Sequence, residues 1–171
     1  MRRTAAVVIA VVATLALGSG VSADRRTLRA RLAADNEVPI VISAAQGEFS
    51  AKIDDEGGAA TITYELSYEG LEGSVTQSHI HAAQPGVNGG IMIWLCSNLA
   101  SPPTPPGTQP CPPSPGTITG TITATNVVGV PTQAIPAGDL SDPLEAIRTG
   151  NAYVNVHSTV SPGGELRGQI K

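Results

Sequence analysis

Aromatic side chains are scarce in this chain of 171 residues: one Trp, one Phe and three Tyr, 3% in all. Charged residues are also few, at 14%. A coiled coil or long-helix protein would be rich in Ala, Glu, Lys and Leu, and a charged disordered tail would carry far more charge, so both are excluded. There is no excess of basic residues; the net charge is −4. Without Arg2 and Arg3 it is more negative still, which argues against a nucleic-acid binder held by phosphate contacts. No Gly-x-Ser-x-Gly stands where a hydrolase nucleophile would sit, and no Gly-rich loop opens a helix to cradle phosphate. The carboxylates are scattered, with no paired acid/base spacing. What is abundant is punctuation, with 19 Gly and 14 Pro set between Thr-rich alternating runs. That pattern predicts one all-β domain.

The start reads Met1-Arg2-Arg3, then an apolar run from Ala5 to Leu17, then Val21-Ser22-Ala23. A basic start, a short apolar stretch and a small-x-Ala site predict a secretory signal over 1–23. The run is too short for a comfortable membrane span, so no span is expected after cleavage. The mature domain is then 24–171, secreted or periplasmic. Its two cysteines, Cys96 and Cys111, are expected to pair in an oxidising compartment. Closing their loop is worth about 3 kcal/mol in the chain-entropy model.

Apolar residues recur with period two. Leu28, Ala30 and Leu32 form one set; Phe49, Ala51 and Ile53 a second; Ile62, Tyr64, Leu66 and Tyr68 a third; Ile118, Ile122 and Ala124 a fourth. Half-buried antiparallel strands follow, with more at Val75–His81, Gly90–Leu95, Ala152–Ser158 and Glu165–Ile170. Ile62, Leu66, Ile118, Ile122, Val154 and Val156 are the expected core. About eight short strands predict an antiparallel Greek-key sandwich or barrel. One short helix is expected near Pro143–Thr149, with Asp142 as its N-cap, acting as a crossover lid outside the core. The Pro-rich stretch 97–116 cannot be an interior strand and reads as a surface insertion stapled by the cysteines.

The chain has three histidines, His79, His81 and His157. On a strand, His79 and His81 point to one face about 6.6 Å apart along the chain, close enough for both imidazoles to reach one ion. His157 lies opposite Val154 and Val156, with Tyr153 and Asn155. If the two strands are neighbours, the three rings can share a zinc or copper ion; the competing reading is a set of hydrogen-bonded surface or subsurface histidines. Val75 falls on the same face as the His pair, which leaves the phase of that strand unsettled. Glu165 shares a face with Arg167 and Gln169 beside the His157 strand. It is a candidate fourth ligand, or a group that orients an imidazole; an ion pair with Arg167 or a solvated charge is the stronger reading.

Several segments together resemble the CHRD domain. They are Leu32-Ala33-Ala34-Asp35-Asn36-Glu37-Val38-Pro39, Gly47, Tyr64-Glu65-Leu66, Gly70-Leu71, His79-Ile80-His81 and Gly86-Val87-Asn88-Gly89-Gly90, then 150–157 and 162–169. The resemblance runs from about Leu28 to Ile170. It implies an all-β extracytoplasmic domain. The family is named for repeats in chordin, an extracellular antagonist of bone morphogenetic proteins, and that antagonism is not carried over to a short single-domain chain. The departure is the Pro-rich stretch between Cys96 and Cys111. His-x-His on a strand is also similar to the first copper-ligand pair of copper/zinc superoxide dismutase. Such enzymes need more histidines than three, so a two-metal dismutase is not expected.

Two functions follow from the sequence. The first is a non-catalytic exported binding module for an extracytoplasmic protein or ligand that the sequence does not name. The second is a mononuclear zinc or copper protein, a carrier or redox enzyme, using the three histidines. A structural matrix protein built on the Pro-rich arm ranks third.

Overall fold

In a computed structural model that describes residues 27–171, the alternating runs become eight strands of one antiparallel sheet. The signal expected over 1–23 lies outside the described residues. The strands are β1 (Thr27–Ala33), β2 (Gln46–Asp54), β3 (Thr61–Glu69), β4 (Val75–Ala82), β5 (Gly90–Ser97), β6 (Gly116–Ile122), β7 (Ala152–Ser158) and β8 (Leu166–Gln169). Their order in the sheet is β5-β4-β7-β8-β1-β2-β3-β6. Period-two patterning explains the inward face directly. Leu28, Ala30 and Leu32 of β1 meet Ala51, Phe49 and Gly47 of β2, and Ile62 and Leu66 of β3 meet Ile122 and Ile118 of β6. All six expected core residues are buried.

The two ends of the sheet come back toward each other. Ile93 of β5 bridges Val127, just beyond β6. The Tyr64 hydroxyl donates to the Leu95 carbonyl at 3.1 Å, and the Gln109 amide donates to both Leu95 and Thr119 carbonyls at 3.2 Å. The result is a nearly closed barrel made of one sheet, which decides between the two architectures expected from the sequence. Cys96, in β5, is bonded to Cys111, with Cα atoms 4.9 Å apart. The disulfide closes the base of the Pro-rich segment. Among the described residues, no helix is long and apolar enough to cross a membrane.

The helix α1 (Ser141–Arg148) departs from expectation at its start and in its role. It begins before Asp142, with Leu140 at the N-cap position. Asp139, not Asp142, accepts the Ser141 N–H (2.9 Å) and the Ser141 hydroxyl (2.6 Å). Pro143 still sits in the first turn, where no intrahelical N–H is needed. Leu144 and Ile147 are buried in the main core. The helix therefore seals the barrel instead of lying over it as a lid; even a brief apolar stripe covers a barrel mouth when its residues fall at i and i+3.

Candidate metal centre

The strand carrying His79 and His81 is β4, and it pairs directly with β7, which carries His157. The register sets His79 opposite Asn155 and His81 opposite Tyr153, with His157 opposite Gln77. A register shift between Val75 and Gln77 settles the phase problem. An extra residue there re-aims the strand, so Val75 and Ile80 are both buried in the core cluster while the histidines take the outer face. The sequence gives no sign of such a bulge.

An outer barrel face is normally wet. Here loops and neighbouring side chains cover it, and His79, His81 and His157 are 1%, 7% and 6% exposed. Each offers a ring nitrogen, and these atoms all lie within 4.8 Å of one another. Three nitrogens on one zinc or copper ion, at about 2.0–2.1 Å each, stand roughly 3.3–3.6 Å apart. Closing the gap needs each ring to move in by less than about 1 Å.

The hydrogen bonds decide which nitrogens are free. His157 Nδ1 faces the Pro162 carbonyl at 3.0 Å, and His81 Nδ1 faces the Gly89 carbonyl at 2.9 Å. A carbonyl only accepts, so both Nδ1 atoms carry the proton and both Nε2 atoms keep their lone pairs. His157 Nε2 is buried with no partner, and His79 has none on either nitrogen. His81 Nε2 lies 3.1 Å from Asn155 Oδ1, which is itself an acceptor. With Nδ1 protonated, two acceptors face each other there unless the amide turns its N–H to the ring, and an ion on Nε2 relieves that contact. A backbone carbonyl holding one ring nitrogen so that the other faces the ion is how metal-binding imidazoles are usually oriented.

Burial holds the rings neutral. The His79 pKa is lowered to about 2, by burial first and then by the neighbouring His157 and His81. His81 is lowered to about 4, by burial above all, and His157 is lowered for the same reason. Neutral imidazole is the ligand form, so no proton has to leave before an ion binds.

Aromatic rings wall the cluster. Trp94, opposite His79 on β5, packs edge-on against it with ring centroids 4.3 Å apart. Tyr153 stacks flat on His81 at 4.6 Å, and the Arg167 guanidinium carbon lies 3.5 Å from the Tyr153 ring centroid. The Arg167 guanidinium also donates to Asn88 Oδ1 (3.0 Å) and the Val87 carbonyl (2.7 Å).

Glu165 does not join the three imidazoles. Its carboxylate accepts from the Ser43 hydroxyl (2.9 Å), the Glu72 N–H (2.8 Å) and the Ser158 hydroxyl. It ties the loops at Ser43 and Glu72 to the end of β7, and both oxygens already accept hydrogen bonds. The expected ion pair with Arg167 is also absent: the one ion pair among the described residues joins Arg148 and Asp55. The buried carboxyl on the histidine side is Glu37. Sequence reading placed it in a family-like segment and gave it no role, because no periodicity links that segment to β7.

The fold and this face define a class, a nearly closed antiparallel barrel with a loop-covered cluster of three imidazoles on its outer wall. A sequence profile of the CHRD domain matches residues 28–170, and the chain belongs to that family. Among curated proteins and among solved structures, no match was found.

Proposed function

We propose that this CHRD domain acts outside the cytoplasm as a non-catalytic binding module whose ligand is a single zinc or copper ion held by His79, His81 and His157. The observation that carries the reading is His79. Its ring is almost wholly buried and neither nitrogen has a partner. An unsatisfied buried polar group costs about 1–3 kcal/mol, and His157 Nε2 adds another. One ion would satisfy both residues and draw on the His81 lone pair as well. The bound ion would supply a Lewis-acidic centre of the kind imidazoles favour. The location outside the cytoplasm is supported by the disulfide, by the family and by the signal-like start of the chain.

Trp94 is the single tryptophan and touches His79, so its fluorescence reports on the site. Titrating metal-free protein with Cu(II) should quench Trp94 with a break at one equivalent. His81→Ala should remove the break while leaving the β-sheet circular dichroism in place. A titration that is unchanged in His81→Ala overturns the reading.

A further inference from the structure

Glu37 has no place in the three-histidine site, yet it is built into the same covered face. It is 4% exposed. Its Oε1 is buried without a partner, and Oε2 has only the Val38 N–H, at a long 3.3 Å. Gly164, at φ +130°, presses on it, and a Cβ there would collide with the carboxyl. The chain has thus given up a side chain in the His157–β8 loop to seat an acid that makes almost no hydrogen bonds.

The Asn155 amide links that acid to the imidazoles. Its Oδ1 lies 3.1 Å from His81 Nε2, and its side chain stands close enough to Glu37 to act on the carboxyl. The charges around it are lopsided. The three rings are neutral, and Arg167 brings a buried positive charge with no carboxylate in ion-pair contact. A metal ion would add more positive charge at the same place. The buried carboxylates among the described residues are Glu165 and Glu37, and Glu165 is committed to Ser43, Glu72 and Ser158. That leaves Glu37 to balance the ion.

We infer that Glu37 is the counter-charge of the metal centre, a positioning residue that acts through Asn155 and sets the preference for a divalent over a monovalent ion. This rests on the metal-binding reading above. Burial pushes the Glu37 pKa up to about 7 against the pull of Val38 N–H, Arg167 and Asn155, so its charge is easily recruited near neutrality. Coulomb energy scales with the product of the charges. Glu37 therefore favours a dication by twice the free energy it gives a monocation. The loss on neutralising it follows the same ratio, so the fold-change for the monocation is the square root of that for the dication.

The test uses the whole mature protein, with Glu37→Gln and Glu37→Ala as two neutral replacements. Gln matches the shape of a carboxyl that is already close to half protonated near pH 7, so it does not threaten the fold. Zn(II) and Cu(I) affinities are measured by competition with chromophoric chelators. Both variants should lose about 10- to 100-fold in Zn(II) affinity, the range for a group behind the ligands. Cu(I) affinity should then fall only about 3- to 10-fold. Equal losses for the two ions, or no loss for either, would overturn the assignment. If wild type binds the ions and His81→Ala abolishes binding but the Glu37 variants keep the wild-type ratio, the Glu37 inference alone falls. If wild type binds neither ion, the metal-binding reading falls with it.

Discussion

Taking the metal-free protein from pH 6 to pH 5 should cost it stability, and the centre sets how much. A histidine with a lowered folded pKa stabilises the fold above its unfolded value of about 6.5, and that contribution is lost as the pH falls toward the folded value. His79, at about 2, and His81, at about 4, stay neutral across this interval in the folded state while their unfolded counterparts protonate. Glu37 works the other way. Its folded pKa of about 7 exceeds the unfolded one, so its contribution is present at low pH and lost as pH rises. Two rings taking up protons on unfolding, against one carboxyl releasing one, leave a net uptake of about one proton. That is a loss of about 1 kcal/mol of stability for the unit of pH. His157, displaced in the same direction as the other rings, steepens it. Glu37→Gln removes the opposing contribution and should roughly double the slope. Urea denaturation followed by far-ultraviolet circular dichroism, with chelator present at each pH, measures it. A stability that is flat or rises from pH 6 to pH 5 would refute the buried, neutral state of the rings.

Two other predictions concern the frame around the site. Val156 is fully buried at the heart of β7 and Thr121 is exposed on the outer face of β6. Val156→Asp should cost about 3–5 kcal/mol, as an uncompensated buried charge does, whereas Thr121→Asp should stay within about 0.5 kcal/mol; equal shifts in the denaturation midpoint would mean that the strand faces are misassigned. Neither Cys96 nor Cys111 should be alkylated in non-reduced protein by mass spectrometry, and reduction should lower stability by about 3 kcal/mol, with stoichiometric alkylation of both thiols as the contrary result.

How much of this was legible in the sequence depends on how far each feature reaches. Strand faces were legible because burial on one side of a pleated strand writes itself as period two, and β1, β2 and β3 carry that pattern with few interruptions. His79, His81 and His157 stood out because imidazole is rare here and His-x-His has meaning on a strand. Their meeting was not legible, since it depends on β4 lying beside β7 and on a bulge near Val75 that no local composition marks. Glu165 misled for a related reason. Face and register correctly brought it near β7, but Ser43 and Glu72 arrive from loops distant in sequence and claim its oxygens. Glu37 was hidden altogether; it reaches the site from the segment after β1, seated by Gly164 of a different loop. The start of α1 was misjudged because Asp142 has the composition of a cap, while Asp139, two residues before the helix, makes the contacts.

The metal content of the protein tests the central claim most directly. Wild-type protein, purified without chelator, should carry close to one equivalent of zinc or copper by elemental analysis, and His79→Ala purified alongside should carry almost none. Wild type with no zinc or copper that also takes up neither ion on reconstitution, or a His79→Ala variant with the same content as wild type, would contradict it.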